Sequence, residues 1–319
     1  MTSSPTMSRL VLGTMTFGDT VDAEVAARMV DTALDAGVTA IDTANGYAGG
    51  AAETMLGALL AGRRDRVQLA SKAGMPHPDA GEHSPLSAAG LRASVVGSLE
   101  RLGVEHLDLF YLHQPDRRAP LAETLSTVAE LVAEGKIGAL GVSNFAAWQI
   151  AELNHVADDV GAPRPVVAQQ LYNLLARRVE EEYFEFATTT NLLTMVYNPL
   201  GGGLLTGRHR FEDKPSSGRF GDSRLAAMYT DRYWDPNLFE AIAALATIAA
   251  DAGVALTELS LRWLLDQPRV GALLLGGSRV EHLEANLEVA RAGRLPREVT
   301  AACDAVGVAL RGPMPAYNR

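Results

Sequence analysis

The sequence predicts an α/β protein in which eight parallel strands close into a (β/α)8 barrel, the TIM barrel. Eight short apolar runs alternate with longer amphipathic stretches along the 319 residues. The runs lack the polar alternation of half-exposed strands, as strands buried on both faces do. Because this length is ordinary for one such barrel, we expect a single domain over residues 1–319, with a long loop after the seventh strand and a C-terminal helix and tail over the barrel.

The eight expected strands are rich in Val, Leu and Ile, which is the composition of a buried parallel strand. A stretch long enough for a helix follows most of them, as a barrel of βα units requires. In chain order the strands are Arg9–Gly13, Ala40–Asp42, Val67–Ser71, Leu107–His113, Ile137–Ser143, Val166–Gln169, Leu193–Asn198 and Val270–Leu275.

Helical periodicity occupies the intervals between these runs. The first helix is expected over Asp22–Ala36, with one apolar stripe and with Gly37 as its C-cap. The stripe consists of Val25, Met29, Val30 and Ala33. Similar patterns predict helices at Leu86–Leu102, Leu121–Glu134, Ala146–Val160 and Pro296–Ala309.

An open, doubly wound sheet is the main alternative to the barrel. That fold would carry a G-x-G-x-x-G turn after its first strand, whereas Leu12-Gly13-Thr14-Met15 stands there. We therefore favour the closed barrel.

The segment Leu200–Asp235 breaks the alternation of strands and helices. It is long, rich in Gly and Arg, and carries Tyr229, Tyr233 and Trp234 near its end. Long segments of this kind in compact domains are usually functional or disordered. Because its aromatic side chains favour packing on a surface, we predict that it forms a lid.

Composition favours a protein of a reducing, cytoplasmic compartment. The formal net charge is −10, and an acidic surface repels phosphate, so we do not expect nucleic acid as a partner. The only cysteine is Cys303, so no intrachain disulfide can form, which suits a reducing compartment. Met1–Arg9 lacks the apolar region of a secretory signal, and no apolar run approaches the length of a membrane helix.

Four polar residues stand at or just past the ends of expected strands. Asp42 closes the second strand and Tyr47 lies in the loop after it, while Lys72 closes the third strand. His113 closes the fourth strand. Because the C-terminal ends of barrel strands face one common mouth, we expect these four side chains, called the tetrad below, to converge.

The chemistry of the tetrad suits reduction of a carbonyl. Hydride delivery to a carbonyl carbon leaves an alkoxide that needs a proton, which Tyr47 can donate. A free phenol has a pKa of about 10, and the ammonium of Lys72 beside it would lower that pKa. We assign Asp42 to holding Lys72 in place and His113 to orienting the carbonyl oxygen.

Two other kinds of site are weaker interpretations of the same residues. A metal site at Asp42 and His113 lacks a further His or carboxylate at ligand spacing. A Ser-His-Asp hydrolase would carry a G-x-S-x-G nucleophile turn, and no Ser stands in one.

The tetrad, in the segments Asp42-Thr43-Ala44 with Tyr47, Ser71-Lys72 and Leu112-His113, resembles the catalytic residues of the aldo-keto reductases. The similarity extends over nearly the whole chain, with its motifs in family order. It implies an enzyme that transfers hydride between NADPH and a small carbonyl compound.

The resemblance also implies the cofactor site. Ser143 and Asn144 would hold the nicotinamide carboxamide together with Gln169, and Tyr197 would stack on the ring. The Gly-rich turn after Leu200 would lie beneath the pyrophosphate. The implied cofactor-binding residues are Asp42, Ser143, Asn144, Gln169, Tyr197, Asn198, Pro199, Leu200, Gly202, Leu204, Gly207, Arg208, Arg219, Gly276, Ser278, Arg279, His282 and Asn286.

The choice of NADPH over NADH follows from Arg279, which the resemblance places at the adenosine phosphate, because a guanidinium can bind the additional 2′-phosphate. His282 is a departure from the family pattern, since Gln or Arg is common at that position. The segment Met1–Arg9 is a second departure, because it is too short and polar for the β-hairpin that often closes the barrel bottom in this family.

The lid and tail most resemble the aflatoxin-aldehyde and succinic-semialdehyde reductase branch. The similar segments are Gly218-Arg219-Phe220, Tyr229–Trp234 and Tyr317-Asn318-Arg319. The resemblance implies that Arg232 and Arg319 bind a substrate carboxylate. Thr230 departs from this branch, in which arginine is usual.

The leading functional hypothesis is NADPH-dependent reduction of aldehydes, including carboxylated or dicarbonyl ones. One alternative is a ketoreductase of a sugar or a secondary-metabolite intermediate. Another is a non-catalytic NADPH-sensing regulatory subunit. By analogy with the branch, we expect a homodimer.

Overall fold

The strands form a closed parallel barrel in a computed structural model that describes residues 7–313. The eight strands follow one another around the barrel in chain order, and the first pairs with the last. The predicted closed barrel is therefore confirmed. The strands are β1 Leu10–Gly13, β2 Ala40–Asp42, β3 Gln68–Ala73, β4 Leu107–Leu112, β5 Ile137–Ser143, β6 Val167–Leu171, β7 Leu193–Tyr197 and β8 Ala272–Leu275.

The end of β3 differs from the prediction. The strand continues to Ala73, so Lys72 lies inside it and does not close it. The reason is pairing with β4, where Lys72 is in register with Tyr111 and Ala73 with Leu112. His113 follows the last residue of β4, and its N–H donates to Ala73 O over 2.8 Å.

The barrel interior contains one large ring, which packs among alanine and larger aliphatic side chains. Tyr111 is fully buried, and Ala40, Ala70 and Ala272 belong to the same cluster. Gly141 of β5 makes room for the ring, because a Cβ at this position would lie 2.6 Å from the Tyr111 ring carbons. A substitution at Gly141 would therefore force the ring out of place.

Helices follow the strands along the chain, and all five predicted helices are present. The structure places Ala26 rather than Val25 on the buried stripe of the first helix, where Asp22 is the N-cap and accepts from Val25 N–H over 2.9 Å. The helices are α1 Ala23–Asp35, α2 Ala51–Leu60, α3 Ala88–Leu102, α4 Leu121–Ala133, α5 Ala147–Val160, α6 Tyr183–Thr189, α7 Ala226–Tyr233, α8 Pro236–Asp251, α9 Leu256–Asp266, α10 Val280–Val289 and α11 Arg297–Arg311.

Contacts divide the chain into two compact units. The first takes in residues 7–170 together with Val179–Tyr197 and Arg269–Leu283. The second takes in Leu171–Arg178, Asn198–Pro268 and residues 284–313. All strands lie in the first unit, apart from the last residue of β6. The single domain expected over residues 1–319 stays a prediction.

The long segment after β7 contains short helices. Two of these are 3-10 helices, at Gly201–Thr206 and Gly218–Phe220, and α7 follows before Asp235 caps the start of α8. Tyr229 and Tyr233 are buried in the second unit with their rings stacked, the centroids 6.2 Å apart. The expected long connection is thus present, and its role as a lid stays a prediction.

No single helix within residues 7–313 combines the length and the apolar composition needed to cross a membrane. The helices α8 and α9 meet this requirement only when they are counted together, across a bend of 91°.

Candidate active site

Three of the four tetrad side chains are in direct contact in the first unit. Lys72 forms an ion pair with Asp42 Oδ1, and both side chains are 0% exposed. The same Nζ donates to Tyr47 OH over 3.1 Å and to the carbonyl oxygen of Thr43 over 2.8 Å. Because an ammonium has three N–H donors, all three are used within this cluster.

The loop after β2 is hydrogen-bonded to the strand that carries Lys72. Thr43 N–H donates to Ala70 O over 2.9 Å, and Asn45 N–H donates to Lys72 O over 3.1 Å. A short 3-10 helix, Tyr47–Gly50, then leads directly into α2. The Tyr47 phenol and the Lys72 ammonium therefore belong to two segments that are hydrogen-bonded to each other.

The charge of Lys72 is maintained despite complete burial. Burial alone would lower the pKa of this amine. Asp42 and Tyr47 act in the opposite direction, and the pKa of Lys72 is raised above its ordinary value. The amine is accordingly an ammonium at neutral pH.

His113 lies beside Tyr47 with the two rings edge to face, their centroids 5.9 Å apart. Burial, together with the charge of Lys72, lowers the pKa of His113 to about 3. The imidazole is thus neutral at pH 7 and carries one proton. Its buried Nδ1 has no hydrogen-bond partner among the described residues, so the proton is better placed on Nε2.

Gln169 contacts the tetrad directly. Its Nε2 donates to Asp42 Oδ2 over 2.9 Å and also lies 3.4 Å from Met195 Sδ. Both carboxylate oxygens of Asp42 are therefore bonded, one to an ammonium and one to an amide. The resemblance implies that Gln169 binds the nicotinamide carboxamide, and the sequence pattern did not indicate the contact with Asp42.

Ser143, Asn144 and Tyr197 also come together. Asn144, with φ 62°, donates from Nδ2 to His113 O over 2.9 Å and to Ser143 Oγ over 3.0 Å. Its Oδ1 accepts from Tyr197 OH over 2.7 Å. These bonds join the ends of β4, β5 and β7, so the segments predicted to hold the nicotinamide form one surface in the first unit.

The Gly-rich turn belongs to the second unit. Asn198 has φ 59°, accepts from Gly202 N–H over 2.7 Å through Oδ1, and donates to Tyr233 OH over 2.8 Å. Leu204 is buried, so only its backbone can face a ligand. The predicted cofactor-binding residues in or beside this turn are Asn198, Pro199, Leu200, Gly202, Leu204, Gly207 and Arg208.

Two predicted binding arginines lie around one ring of the second unit. The Arg219 guanidinium lies 4.8 Å from the centroid of the Tyr229 ring and donates from Nη1 to the Tyr229 hydroxyl over 2.8 Å. Arg232 lies 5.8 Å from the same centroid. Cation–π contact with an aromatic ring holds a guanidinium in place, so Tyr229 fixes two cations in one region. Arg319 lies outside the described residues.

The residues predicted to bind the adenosine phosphate divide between the units. Ser278 and Arg279 are exposed in the first unit and immediately precede α10. Gly276 and His282 are exposed in the same unit, while Asn286 is buried in the second.

Comparison with known proteins decides the family of this chain. The model of the Aldo/keto reductase family matches residues 9–308. The chain belongs to the aldo/keto reductase family. The predicted enzyme class, an oxidoreductase that acts on carbonyl groups, is thereby confirmed.

Relatives of this aldo/keto reductase lie in the predicted branch. Aldo-keto reductase family 7 member A3 of Homo sapiens is 39% identical over 300 residues, covering 89% of each chain. Aflatoxin B1 aldehyde reductase member 2 of Rattus norvegicus is 36% identical over 334 residues, covering 100% of this chain and 90% of the relative. The human protein of the same name is 39% identical over 300 residues, covering 89% of this chain and 82% of the relative.

The arrangement around Asp42 in this aldo/keto reductase is that of an ion pair. Its two oxygens are bonded to Lys72 and Gln169. Among residues 7–313, no three His, Cys, Asp or Glu side chains form a group that could hold a metal ion. A metal at Asp42 would compete with the ammonium of Lys72 for the same carboxylate.

Tyr111 is a member of the site that the sequence predictions omitted. It is in register with Lys72, whose Nζ lies 5.8 Å from the Tyr111 ring centroid. Burial and the carboxylate of Asp42 raise the pKa of Tyr111 well above its ordinary value, so this phenol stays protonated. A signal existed, because Tyr111 stands two positions before His113 and alternate strand residues share a face.

Proposed function

We propose that this aldo/keto reductase reduces aldehydes to alcohols with NADPH as the hydride donor. The observation that supports this most strongly is the contact of the Lys72 ammonium with both Asp42 and Tyr47 in a fully buried cluster. A phenol beside a buried ammonium is suited to protonate an oxygen that is gaining negative charge. Reduction of an aldehyde produces such an oxygen.

Tyr47 acts as the general acid. Its O–H bond breaks as a new O–H bond forms at the substrate oxygen, while the hydride that reduced nicotinamide supplies when bound adds to the carbonyl carbon. The phenolate that remains is stabilised by Lys72 Nζ, 3.1 Å away. Asp42 keeps Lys72 charged and in place, and Gln169 holds Asp42.

His113 orients the carbonyl group. A neutral imidazole protonated on Nε2 can donate one hydrogen bond to the substrate oxygen without repelling Lys72. The buried surroundings that lower its pKa to about 3 keep it in this form at neutral pH. Its donation polarises the C=O bond and leaves proton transfer to Tyr47.

The residues predicted for the adenosine end fit a nucleotide with an additional phosphate. Ser278 and Arg279 are exposed immediately before α10, so a hydroxyl, a guanidinium and the first N–H groups of a helix can face one anion. This donor set suits the 2′-phosphate by which NADPH differs from NADH.

Ser143, Asn144 and Gln169 are proposed for the nicotinamide end. Ser143 Oγ donates to Gln169 O over 3.0 Å and accepts from Asn144 Nδ2, so its second lone pair can accept from a carboxamide N–H. The Gln169 side-chain oxygen can accept in the same way, because its nitrogen is the atom that contacts Asp42. Tyr197, anchored through Asn144, is proposed to pack on the ring.

We propose that the substrates are aldehydes that carry a carboxylate or a second carbonyl group. Two of the relatives are named aflatoxin B1 aldehyde reductases, which supports an aldehyde. Arg232 is proposed as the cation for the carboxylate, because a guanidinium binds a carboxylate through paired hydrogen bonds. The same role for Arg319 stays a prediction.

Steady-state kinetics with NADPH or NADH, and with succinic semialdehyde or 4-nitrobenzaldehyde, test this proposal. We expect NADPH-dependent turnover, and in Tyr47→Phe a kcat lower by about 100-fold or more with unchanged NADPH affinity. Full activity of Tyr47→Phe would refute the acid assignment. NADPH binding without single-turnover oxidation would favour the regulatory-subunit alternative, and turnover of ketones alone would favour the ketoreductase.

A further inference from the structure

Glu53 is a buried carboxylate that the proposed mechanism does not use. It lies in the first turn of α2 with 0% of its side chain exposed. Its Oε1 accepts from Ser71 Oγ over 2.5 Å, and its Oε2 accepts from Arg101 Nε over 2.8 Å. A buried carboxylate is tolerated only when it is paired and hydrogen-bonded, and here both oxygens are satisfied.

Ser71 connects this carboxylate to the strand of the catalytic ammonium. Ser71 and Lys72 are consecutive residues of β3, so their side chains point to opposite faces of the strand. Lys72 contacts Tyr47, whereas Ser71 contacts Glu53 on α2. The Glu53–Ser71 hydrogen bond therefore fixes α2 to β3 directly beside Lys72.

Arg101 connects the same carboxylate to two further segments. It lies in the last turn of α3 and binds Asp79 in bidentate fashion, with Nη1 2.9 Å from Oδ1 and Nη2 2.7 Å from Oδ2. It also lies against Gly50, where a Cβ would be 2.9 Å from Arg101 Cδ. Gly50 has φ 96° and ends the 3-10 helix that Tyr47 begins.

We propose that Glu53 and Arg101 are positioning residues that set the distance between the Tyr47 hydroxyl and the Lys72 ammonium. Glu53 holds β3 through its hydrogen bond with Ser71. Arg101 supports the turn that contains Tyr47 through its contact with Gly50. The inference rests on the proposed function, since it assigns the acid to Tyr47. A planar guanidinium is required, because only its fixed fork can bind Glu53 and Asp79 at once.

Three variants test the proposal: Ser71→Ala, Arg101→Lys and Glu53→Gln. Ser71→Ala removes one hydroxyl and leaves the Glu53–Arg101 ion pair, so it remains informative if the charge variants fail to fold. If the phenol moves away from the ammonium, the ammonium stabilises phenolate less. We expect the Tyr47 pKa to rise by about one unit and kcat at neutral pH to fall about tenfold, with NADPH affinity unchanged.

Arg92→Lys is the matched control. Arg92 also lies on α3 and binds two carboxylates, Glu130 and Glu134, but on an exposed surface. This variant should leave both the Tyr47 pKa and kcat unchanged. A purely structural role for the Glu53 network would lower the melting temperature of its variants without shifting the Tyr47 pKa.

The Tyr47 pKa can be measured without turnover, by ultraviolet titration of phenolate with Tyr47→Phe as the reference. This readout separates the two proposals. An inactive wild type contradicts the proposed function, while the titration still decides whether Ser71→Ala shifts Tyr47. An unshifted pKa in folded Ser71→Ala and Arg101→Lys overturns the positioning role.

Discussion

Gln169 donates a 2.9 Å hydrogen bond from Nε2 to Oδ2 of Asp42, a residue 127 positions earlier in the chain. The bond satisfies the carboxylate oxygen that Lys72 does not contact. The Asp42–Lys72 pair thus depends on a side chain from the opposite part of the barrel sheet.

Replacing Gln169 should weaken both stability and catalysis. Gln169→Leu leaves Asp42 Oδ2 unsatisfied. We therefore expect the free energy of unfolding to fall by about 1–3 kcal/mol and kcat to be lower. Urea denaturation and steady-state kinetics measure the two effects. The neighbour Gln170→Leu is the control, since Gln170 donates to the backbone oxygen of Phe145 and should affect stability alone. Equal kcat in the two variants would contradict this prediction.

Removing Lys72 alone should be more damaging than removing the charges of the pair together. Lys72→Met leaves Asp42 buried without its cation, and we expect a loss of about 3–5 kcal/mol in the free energy of unfolding. The double variant Asp42→Asn with Lys72→Met should be more stable than Lys72→Met. A double-mutant cycle of unfolding free energies, measured by urea titration, checks this order. If the losses of the two single variants add up in the double variant, Asp42 and Lys72 are not coupled.

His113 should make the folded state less stable as the pH falls. The unfolded chain binds its proton below the ordinary pKa of 6.5, while the folded protein does so only near 3. Unfolding therefore takes up a proton between these values, and stability present above pH 6.5 is lost towards pH 3. We expect protonation of His113 in the unfolded chain to lower the free energy of unfolding by about 2 kcal/mol between pH 7 and pH 5.

The measurement for His113 is the free energy of unfolding at both pH values, in the wild type and in His113→Gln. Carboxylates and the other histidines are common to both proteins, so the difference isolates His113. The variant should lose about 2 kcal/mol less than the wild type over this interval. Parallel pH profiles would show that burial does not suppress the charge of this imidazole.

Arg279 should determine the preference between the two nicotinamide cofactors. Arg279→Ala removes the guanidinium proposed for the 2′-phosphate, so we expect the dissociation constant of NADPH to rise about 10- to 100-fold and that of NADH to stay unchanged. Fluorescence titration measures both constants. Arg291→Ala removes the same charge from another exposed position and serves as the control. An equal loss for both cofactors would argue against the 2′-phosphate contact.

Arg232 should affect acidic substrates selectively. In Arg232→Ala, we expect KM for succinic semialdehyde to rise about tenfold or more because a charge-assisted hydrogen bond is lost, while KM for 4-nitrobenzaldehyde stays within a factor of about two. Arg224→Ala, an exposed arginine of the same long segment, provides the comparison. Similar changes for both aldehydes would place Arg232 outside substrate recognition.

The fold and the tetrad were accessible from the sequence because they depend on local patterns. Apolar runs located all eight strands, and barrel geometry then required Asp42, Lys72 and His113 to meet at one end. The end of β3 was missed because a polar residue normally suggests that a buried strand has finished. Lys72 continues β3 because its charge is paired inside the barrel.

The contacts that support the tetrad could not be derived in this way. Gln169 with Asp42 and Glu53 with Arg101 join residues that are far apart in the chain. A sequence pattern reports which residues share a face of an element, but it does not report which faces are packed together. Pairing of this kind depends on how the strands close into the barrel and on how the helices pack against them.

The burial of Lys72 has a practical consequence for chemical labelling. The chain has three lysines, and the other two, Lys136 and Lys214, are accessible at least in part to solvent. An amine-selective reagent can therefore modify those two in the native protein but can reach Lys72 only after the barrel opens. Mass spectrometry of the labelled peptides would then use Lys72 as an internal reporter of unfolding, with no probe added to the protein.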